Sequence, residues 1–477
     1  MQQKRTTAGI CLIAFLSVYA QCNKAGNPGG REPQPAPGNA TVWVTKADSS
    51  VLLKKSNTVR FLKGTAGGTV IEVDHTRSFQ EIDGFGYTLT GGSAMLINRL
   101  DASGRTALLR ELFGNGENSI GVSYLRISVG ASDLDPAVFS YNDLPAGQTD
   151  PEQEKFSIAP DKANLVPVLK EILVINPKIK ILASPWSPPA WMKDNGATRG
   201  GSLKPEYYAS YARYLIKYIR AMKAEGITID ALTPQNEPLH PGNNPSLLML
   251  AAQQRDFIKN QLGPAFKAAG IHTKIVVYDH NLDRPDYPIT ILDDPGAKQY
   301  IDGSAFHLYA GNVSAMSQVH DAHPDRNLYF TEQWTGSKGA FSGDLKWHIK
   351  NVIIGTIRNW SRIALEWNLA SDPGYNPHTP GGCTQCKGAL TLDGNSVNRN
   401  VAYYIIAHAS KFVPAGSRRI YSSEAAGLSN VAFVTAAGRK VLIVLNEQDN
   451  EQPFHINCSG RNAGYTIPAN AVVTIVW

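Results

Sequence analysis

The chain has 477 residues, 43% hydrophobic and 18% charged, which suits one large globular domain plus a small one and excludes a disordered chain. Its net charge of +6 comes from Lys and Arg scattered along the sequence, so nucleic-acid binding finds no support.

The first 22 residues, MQQKRTTAGICLIAFLSVYAQC, open with Lys4 and Arg5 and continue into an apolar stretch from Ile10 to Val18. That is the pattern of an export signal, too short to span a membrane. Two processing routes stay open: cleavage after Ala20, or lipidation of Cys22, which would anchor the protein to a membrane. Residues 23–40 are rich in Gly and Pro and read as a flexible tether. An exported protein is expected, monomeric, and located in a periplasm, on a cell surface or outside the cell.

Residues 41–79 contain TVWVTKAD, SVLLKK and TVIEVDHT, short strands with β-branched alternation. From 80 to 411 the rhythm changes to alternating strand-like and helix-like runs, the signature of repeated βα units. The strands fall at 81–90, 122–129, 180–186, 230–237, 274–281, 304–309, 327–334 and 362–370. The clearest helix is 204–226, where Tyr208, Tyr211, Leu215, Ile219 and Met222 form an apolar stripe ended by Gly226. VAYYIIAHASKFV (401–413) supplies a last helix. The fold class is therefore α/β, a (β/α)8 TIM barrel. Residues 412–477 return to β with RRIYSS, LSNVAFVT, KVLIVLNE, PFHIN and NAVVTIVW. Together with the early strands they predict an appended β-sandwich built from both ends of the chain.

A barrel collects its chemistry at the carboxyl ends of its strands. There this sequence carries Arg126, with Asp133 just beyond it, Trp186, Asn236-Glu237, His307-Leu308-Tyr309, Glu332 with Trp334, and Glu366-Trp367-Asn368. Two carboxylates from different strands, Glu237 and Glu332, are what glycoside hydrolysis needs: one protonated to assist the leaving oxygen, one ionised to attack the sugar carbon. General-acid work near neutrality requires the Glu237 carboxyl to be raised. Each residue also has a plainer use. Glu237 could cap a helix, Glu332 and Glu366 could sit in ion pairs, and Trp186, Trp334 and Trp367 could be core rather than platforms for sugar rings. His307 reads as a hydrogen-bonding wall residue. No metal-ligand spacing is visible. Cys383 and Cys386 read as a small disulfide pinning a loop, and Cys458 as a buried thiol.

Taken in order, QEIDGFGYTLTGGSA, SYLRISVGASDLD, ILASPWSPPAWMKDNG, LTPQNEP, FHLY, YFTEQW, EWNLA, GGCTQCKGALTLD and AYYIIAHASKFVPAGSRRI resemble glycoside hydrolase family 30. That group includes lysosomal glucosylceramidase and microbial β-1,6-glucanases. The resemblance implies a barrel with an appended sandwich, retaining double displacement and no cofactor. It makes Glu237 the acid/base and Glu332 the nucleophile. Asn236, Arg126, Asp133, Trp186, His307, Tyr309 and Trp367 would surround the sugar, with Asp133 on its distal hydroxyls. Many relatives have Thr-Asp-Ala where this chain has Thr90-Gly91-Gly92, which weakens a transfer of glucosylceramide specificity. YDHNLDRPDYP (278–288) looks like bacterial relatives acting on β-1,6-glucan and would bring His280, Asn281 and Asp283 to the aglycone side. The expected function is an endo-β-1,6-glucanase. The alternatives are a glucosylceramidase-like or exo-acting β-glucosidase and, more distantly, a non-catalytic glycan-binding protein. The expected partner is a β-glucan or β-glucoside, with no nucleic acid.

Overall fold

The computed structural model describes residues 38–64 and 67–477; the export signal, Cys22 and nearly all of the tether lie outside them. Eight strands close a barrel in chain order: Gly84–Thr88, Tyr124–Val129, Lys180–Pro185, Ala231–Leu232, Lys274–Leu282, Ile301–Gly311, Asn327–Glu332 and Ser361–Asn368, called strands one to eight. Every ladder is parallel, and strand eight closes on strand one at Ile363 opposite Gly84. The expected fold class is borne out.

The fourth strand is much shorter than the expected 230–237, because Pro234 and Pro238 have no N–H to give a ladder. Beyond Leu232 single bonds hold the chain: Thr233 N–H to Ala183 O at 3.0 Å, Asn236 N–H to Pro185 O at 2.8 Å and Glu237 N–H to Asp279 O at 3.0 Å. The helix expected over 204–226 forms at Tyr208–Ala224 after a 3-10 turn, with Tyr211, Leu215, Ile219 and Met222 buried. It stops at Gly226, whose φ of +84° suits glycine.

Inside the barrel lies an apolar plug of Tyr124, Leu182, Ala231, Val276, Ala305, Tyr329, Ile363 and Leu365, large rings facing small alanines. Side chains two residues apart on a strand share a face. One step along, strands two, three, four, six and seven therefore present Arg126, Ser184, Thr233, His307 and Thr331, all fully buried. Strand five breaks this alternation. Tyr278 and Asp279 take φ of 75° and 67°, and the register to strand six shifts between Tyr278 and His280. The bulge sends Tyr278 outward onto Tyr287 of helix Asp286–Leu292, ring centroids 4.8 Å apart, and turns Asp279 into the polar layer.

The sandwich interleaves the two ends of the chain. Asn39–Lys46 pairs antiparallel with Ala471–Val476, and Val70–Ile82 lies between Ser417–Ser422 and Gln452–Cys458. Val42, Ile71, Leu442, Phe454 and Ile475 belong to its separate apolar core. The strand read from TVIEVDHT runs on to Ile82, across residue 80, and SVLLKK contributes only Lys54–Lys55. Arg461–Ile467, RNAGYTI, is a strand the sequence did not announce, its alternation blurred by Asn462 and Gly464.

Candidate active site

The polar layer is organised around Asp279. Its Oδ2 accepts from Arg126 Nη2 at 2.8 Å, Ser184 Oγ at 2.7 Å and Thr233 Oγ1 at 2.9 Å. Its Oδ1 accepts from Thr331 Oγ1 at 2.6 Å and faces His307 Nε2 at 3.1 Å. Burial alone would raise this carboxyl, but Arg126, His307 and Thr331 hold it well below the usual carboxylate range. A fixed anion beneath His307 draws Nε2–H toward itself and so sets which nitrogen carries the proton.

Above this layer stand the two glutamates. Glu332, at the end of strand seven, accepts from Arg126 Nη1 at 2.5 Å on Oε2 and from Tyr309 Oη at 2.9 Å on Oε1. Glu237 sits in the left-handed region, φ 45°, at the end of the run from strand four. A non-glycine residue rarely adopts that backbone, and here the tight exit from the sheet aims its carboxylate at the same point as Glu332. Glu237 Oε1 lies 3.3 Å from His307 Nδ1 and 3.9 Å from His280 Nε2, while Asn243 Nδ2 donates to Oε2 at 3.4 Å. One atom each of Glu237, His307 and Glu332 fall within 4.8 Å of one another.

Burial pushes the Glu237 carboxyl up, but the hydrogen bond and charge of the His307 imidazolium outweigh it and leave the group below its ordinary value. Glu332 is raised, burial exceeding the opposing pull of His307 and Arg126. His307 pays the same burial penalty, yet the surrounding Glu332, Asp279 and Glu237 bring it up to about 9. The site thus keeps its shared proton on His307, where sequence reasoning wanted a raised Glu237. Transfer of that proton across 3.3 Å to Glu237 leaves the total charge unchanged and His307 neutral, its Nε2–H still on Asp279. A general acid can therefore be loaded without a net uptake of charge.

A cavity of about 310 Å³ opens over the carboxylates, lined by Asp133, Trp186, Asn236, Glu237, His280, Asn281, Tyr309, Glu332, Trp334 and Trp367. The strand-end residues named from sequence thus converge there, with two corrections. Arg126 and His307 do not line it; both are fully buried behind the carboxylates, and their bonds go to Glu332, Asp279 and Glu237 rather than to a sugar. Asp283 stands on the exposed surface. The Asn236 amide oxygen accepts from Arg126 Nη2 at 2.6 Å, leaving its NH2 for a ligand. Trp186 and Trp367 lie 5.6 Å apart, with the Arg126 guanidinium 4.9 Å from the first ring and 5.8 Å from the second. Glu366 is an ion-pair partner, 2.7 Å from His348 Nδ1.

His240 and Asn243 also line the cavity and escaped sequence reasoning, although they lie in the loop that follows Asn236-Glu237-Pro238. The expected disulfide Cys383–Cys386 is formed and is itself part of the cavity wall; Cys458 is free and buried. Cys383 N–H donates to Asp133 Oδ2 at 3.3 Å, while burial and the Glu332 and Glu237 charges push Asp133 up to about 7. The glycines after Thr90 have a steric cause. A Cβ on Gly91 would run into the Asp135 carboxylate, and one on Gly92 into Leu134 O and Pro377. The loop after strand two occupies the space that a first-strand side chain would need.

Comparison with known proteins agrees with this geometry. The glycosyl hydrolase family 30 TIM-barrel domain matches residues 82–413 and the glycosyl hydrolase family 30 beta sandwich domain residues 416–475. An endo-1,6-β-D-glucanase of Trichoderma harzianum is 33% identical over 433 residues, covering 85% of this chain and 86% of its own. The lysosomal acid glucosylceramidase of Mus musculus is 27% identical over 442 residues, 87% of this chain and 84% of its own. The solved structure of the endo-β1,6-glucanase BT3312 superposes with a TM-score of 0.86 at 36% identity, covering 92% of this chain and 99% of that one. With both domains matched and the two carboxylates gathered at one barrel mouth, the chain belongs to glycoside hydrolase family 30.

Proposed function

We propose that the protein is a retaining endo-β-1,6-glucanase. The observation that carries the mechanism is the close approach of Glu237 and Glu332, whose facing oxygens lie within 4.8 Å. Retaining enzymes hold such a pair about 5–5.5 Å apart, whereas inverting ones need about 6.5–9.5 Å to admit a water between carboxylate and sugar. Arg126 and Tyr309 orient Glu332, and they favour its ionised form. Glu332 then attacks the anomeric carbon as Glu237 gives a proton to the departing glycosidic oxygen, and a glycosyl ester on Glu332 results. In the second step Glu237 removes a proton from water, the water oxygen bonds to the anomeric carbon, and the ester C–O bond breaks to free Glu332. Asn236 and Asp133 offer hydrogen bonds to hydroxyls of the bound glucose, and Trp186, Trp334 and Trp367 offer apolar faces.

The surroundings of the acid support this choice of substrate. The leaving group departs past Glu237, and the groups flanking that residue are Asn243, His240 and His280. Burial brings His280 down to about 4, so it is neutral and can both donate and accept. Such a rim suits a sugar aglycone better than a lipid. The relatives named endo-1,6-β-glucanases support the same reading. The amino-terminal signal pattern supports export, as does the Cys383–Cys386 disulfide, which suits an oxidising compartment.

The test is product analysis on linear β-1,6-glucan, with Glu332→Gln as the blank. A ladder of short β-1,6-linked oligosaccharides is expected. Glucose alone would make the enzyme exo-acting. An intact polymer would overturn the substrate, and glucosylceramide and aryl β-glucosides would be tested next.

A further inference from the structure

We propose that Glu237, His307 and Glu332 form a binding site for one borderline transition-metal ion, Zn2+ or Cu2+, whose occupancy shuts the enzyme off. His307 Nδ1 lies 3.3 Å from Glu237 Oε1 and 3.7 Å from Glu332 Oε1. Zinc binds nitrogen at about 2.0–2.1 Å and carboxylate oxygen at about 2.0–2.2 Å, so a tetrahedral ion separates its ligand atoms by about 3.3–3.5 Å. The first separation falls in that range, the second must shorten slightly, and the two carboxylates, whose ligand atoms lie within 4.8 Å of each other, must draw together by up to about 1.3 Å. Two of the ligands come from strands six and seven and the third from the segment after strand four, which is why no spacing in the sequence reveals them.

The surroundings are those a metal site needs. A ligating histidine usually donates its other ring N–H to a carboxylate, which fixes the tautomer and strengthens the ligand. Here His307 Nε2 faces Asp279 Oδ1 at 3.1 Å, and Asp279 is itself anchored by Arg126, Ser184, Thr233 and Thr331. Glu332 is oriented by Arg126 and Tyr309. The three carboxylates together with Arg126 carry a net charge of −2, which a divalent ion balances once it displaces the proton from His307 Nδ1, as metals do at imidazole ligands. Glu237 and Glu332 both line the cavity of about 310 Å³, which leaves room for a water ligand beside a bound ion. An imidazole with two carboxylates in a tight tetrahedral set selects Zn2+ or Cu2+ over Mg2+ and Ca2+, which prefer six or more oxygens. The ion would stand between the two carboxylates, where the anomeric carbon must come, so it competes with substrate and assists no step. This goes beyond the proposed reaction and holds for any β-glucoside the site accepts.

The experiment is isothermal titration of chelator-treated full-length protein with ZnCl2 at pH 7, read as binding and independent of turnover. One ion per chain is expected, removed by EDTA. Glu237→Gln and His307→Asn, checked for folding by thermal melts, should each weaken that site by tenfold or more. His320→Gln, on a distant helix, should bind as wild type does. In parallel, Zn2+ should raise the KM for an aryl β-glucoside with kcat unchanged. Equal binding by Glu237→Gln, absence of a stoichiometric site, or inhibition that lowers kcat at constant KM would each overturn the proposal. Loss of the β-1,6-glucan reading would leave the titration untouched.

Discussion

Substituting Asp279 by Asn keeps the shape of the side chain and removes one charge at the centre of the polar layer. Arg126 then loses the partner at 2.8 Å and keeps Glu332 at 2.5 Å. Breaking a buried pair costs about 3–5 kcal/mol, and the surviving ion pair argues for about 3 kcal/mol. At roughly 2 cal/mol/K of unfolding entropy per residue, a chain of this size should lose about 3 °C of Tm. The catalytic effect should be larger. An amide can no longer fix His307 as a proton donor at Nε2, and the proton that reaches Glu237 is misplaced. General acid catalysis is worth about 10²–10⁴-fold, so kcat on glucan should fall by about that factor while KM changes little. The assay compares glucan with an aryl β-glucoside bearing a dinitrophenolate leaving group, which needs no protonation. The glucan rate should collapse and the aryl glycosylation step, followed under single-turnover conditions, should drop far less. A variant that loses both rates equally, or keeps the wild-type kcat on glucan, would refute the positioning argument.

Other outcomes follow from the same geometry. His307 stands at about 9 in the folded protein against roughly 6.5 unfolded. Its ion pairs should therefore contribute stability that is complete below about pH 6.5 and lost as pH rises through about 9. Melts of wild type from pH 6 to 10 should fall with pH, and those of His307→Asn should fall less. Reducing the Cys383–Cys386 disulfide, or replacing both residues by Ser, loosens the wall that gives Asp133 its backbone N–H; steady-state kinetics should show a raised KM with a smaller change in kcat. Gly91→Ala forces a methyl into the Asp135 carboxylate and should destabilise by about 1–3 kcal/mol in a denaturant titration.

Most of the barrel could be read from the chain because its strands obey a simple alternation: Tyr124 with Arg126, Leu182 with Ser184, Tyr329 with Thr331. A residue at a strand end could therefore be named from sequence and found at the mouth, as Glu237, Glu332, Asn236 and Trp367 were. Asp279 could not. Counting by twos from Val276 puts Tyr278 inside and Asp279 outside, and only the bulge reverses this. Depth was equally hidden. Arg126 and His307 have the same strand-end position as the residues above them, and sequence alone did not show that their side chains would be spent on the carboxylates instead of the ligand. The fourth strand was overdrawn because 230–237 was taken to run straight through Pro234, which has no N–H to give the ladder.

The interleaving of the chain's two ends sets a timetable for synthesis. Asn39–Lys46, carrying Val42, Trp43 and Val44, leaves the ribosome early, but its neighbour Ala471–Val476 is translated about 430 residues later. At about 5–20 residues per second that delay is roughly 20–90 s. For all that time the strand can pair only with the two-residue stubs Lys54–Lys55 and Val59–Arg60 and lacks its one full-length neighbour, and Val70–Ile82 waits likewise until Ser417–Ser422 and Gln452–Cys458 appear. The sandwich can close only when the last six strand residues are in place. Loss of that short carboxyl-terminal segment would therefore leave the first strand of the nascent chain an open template for aggregation.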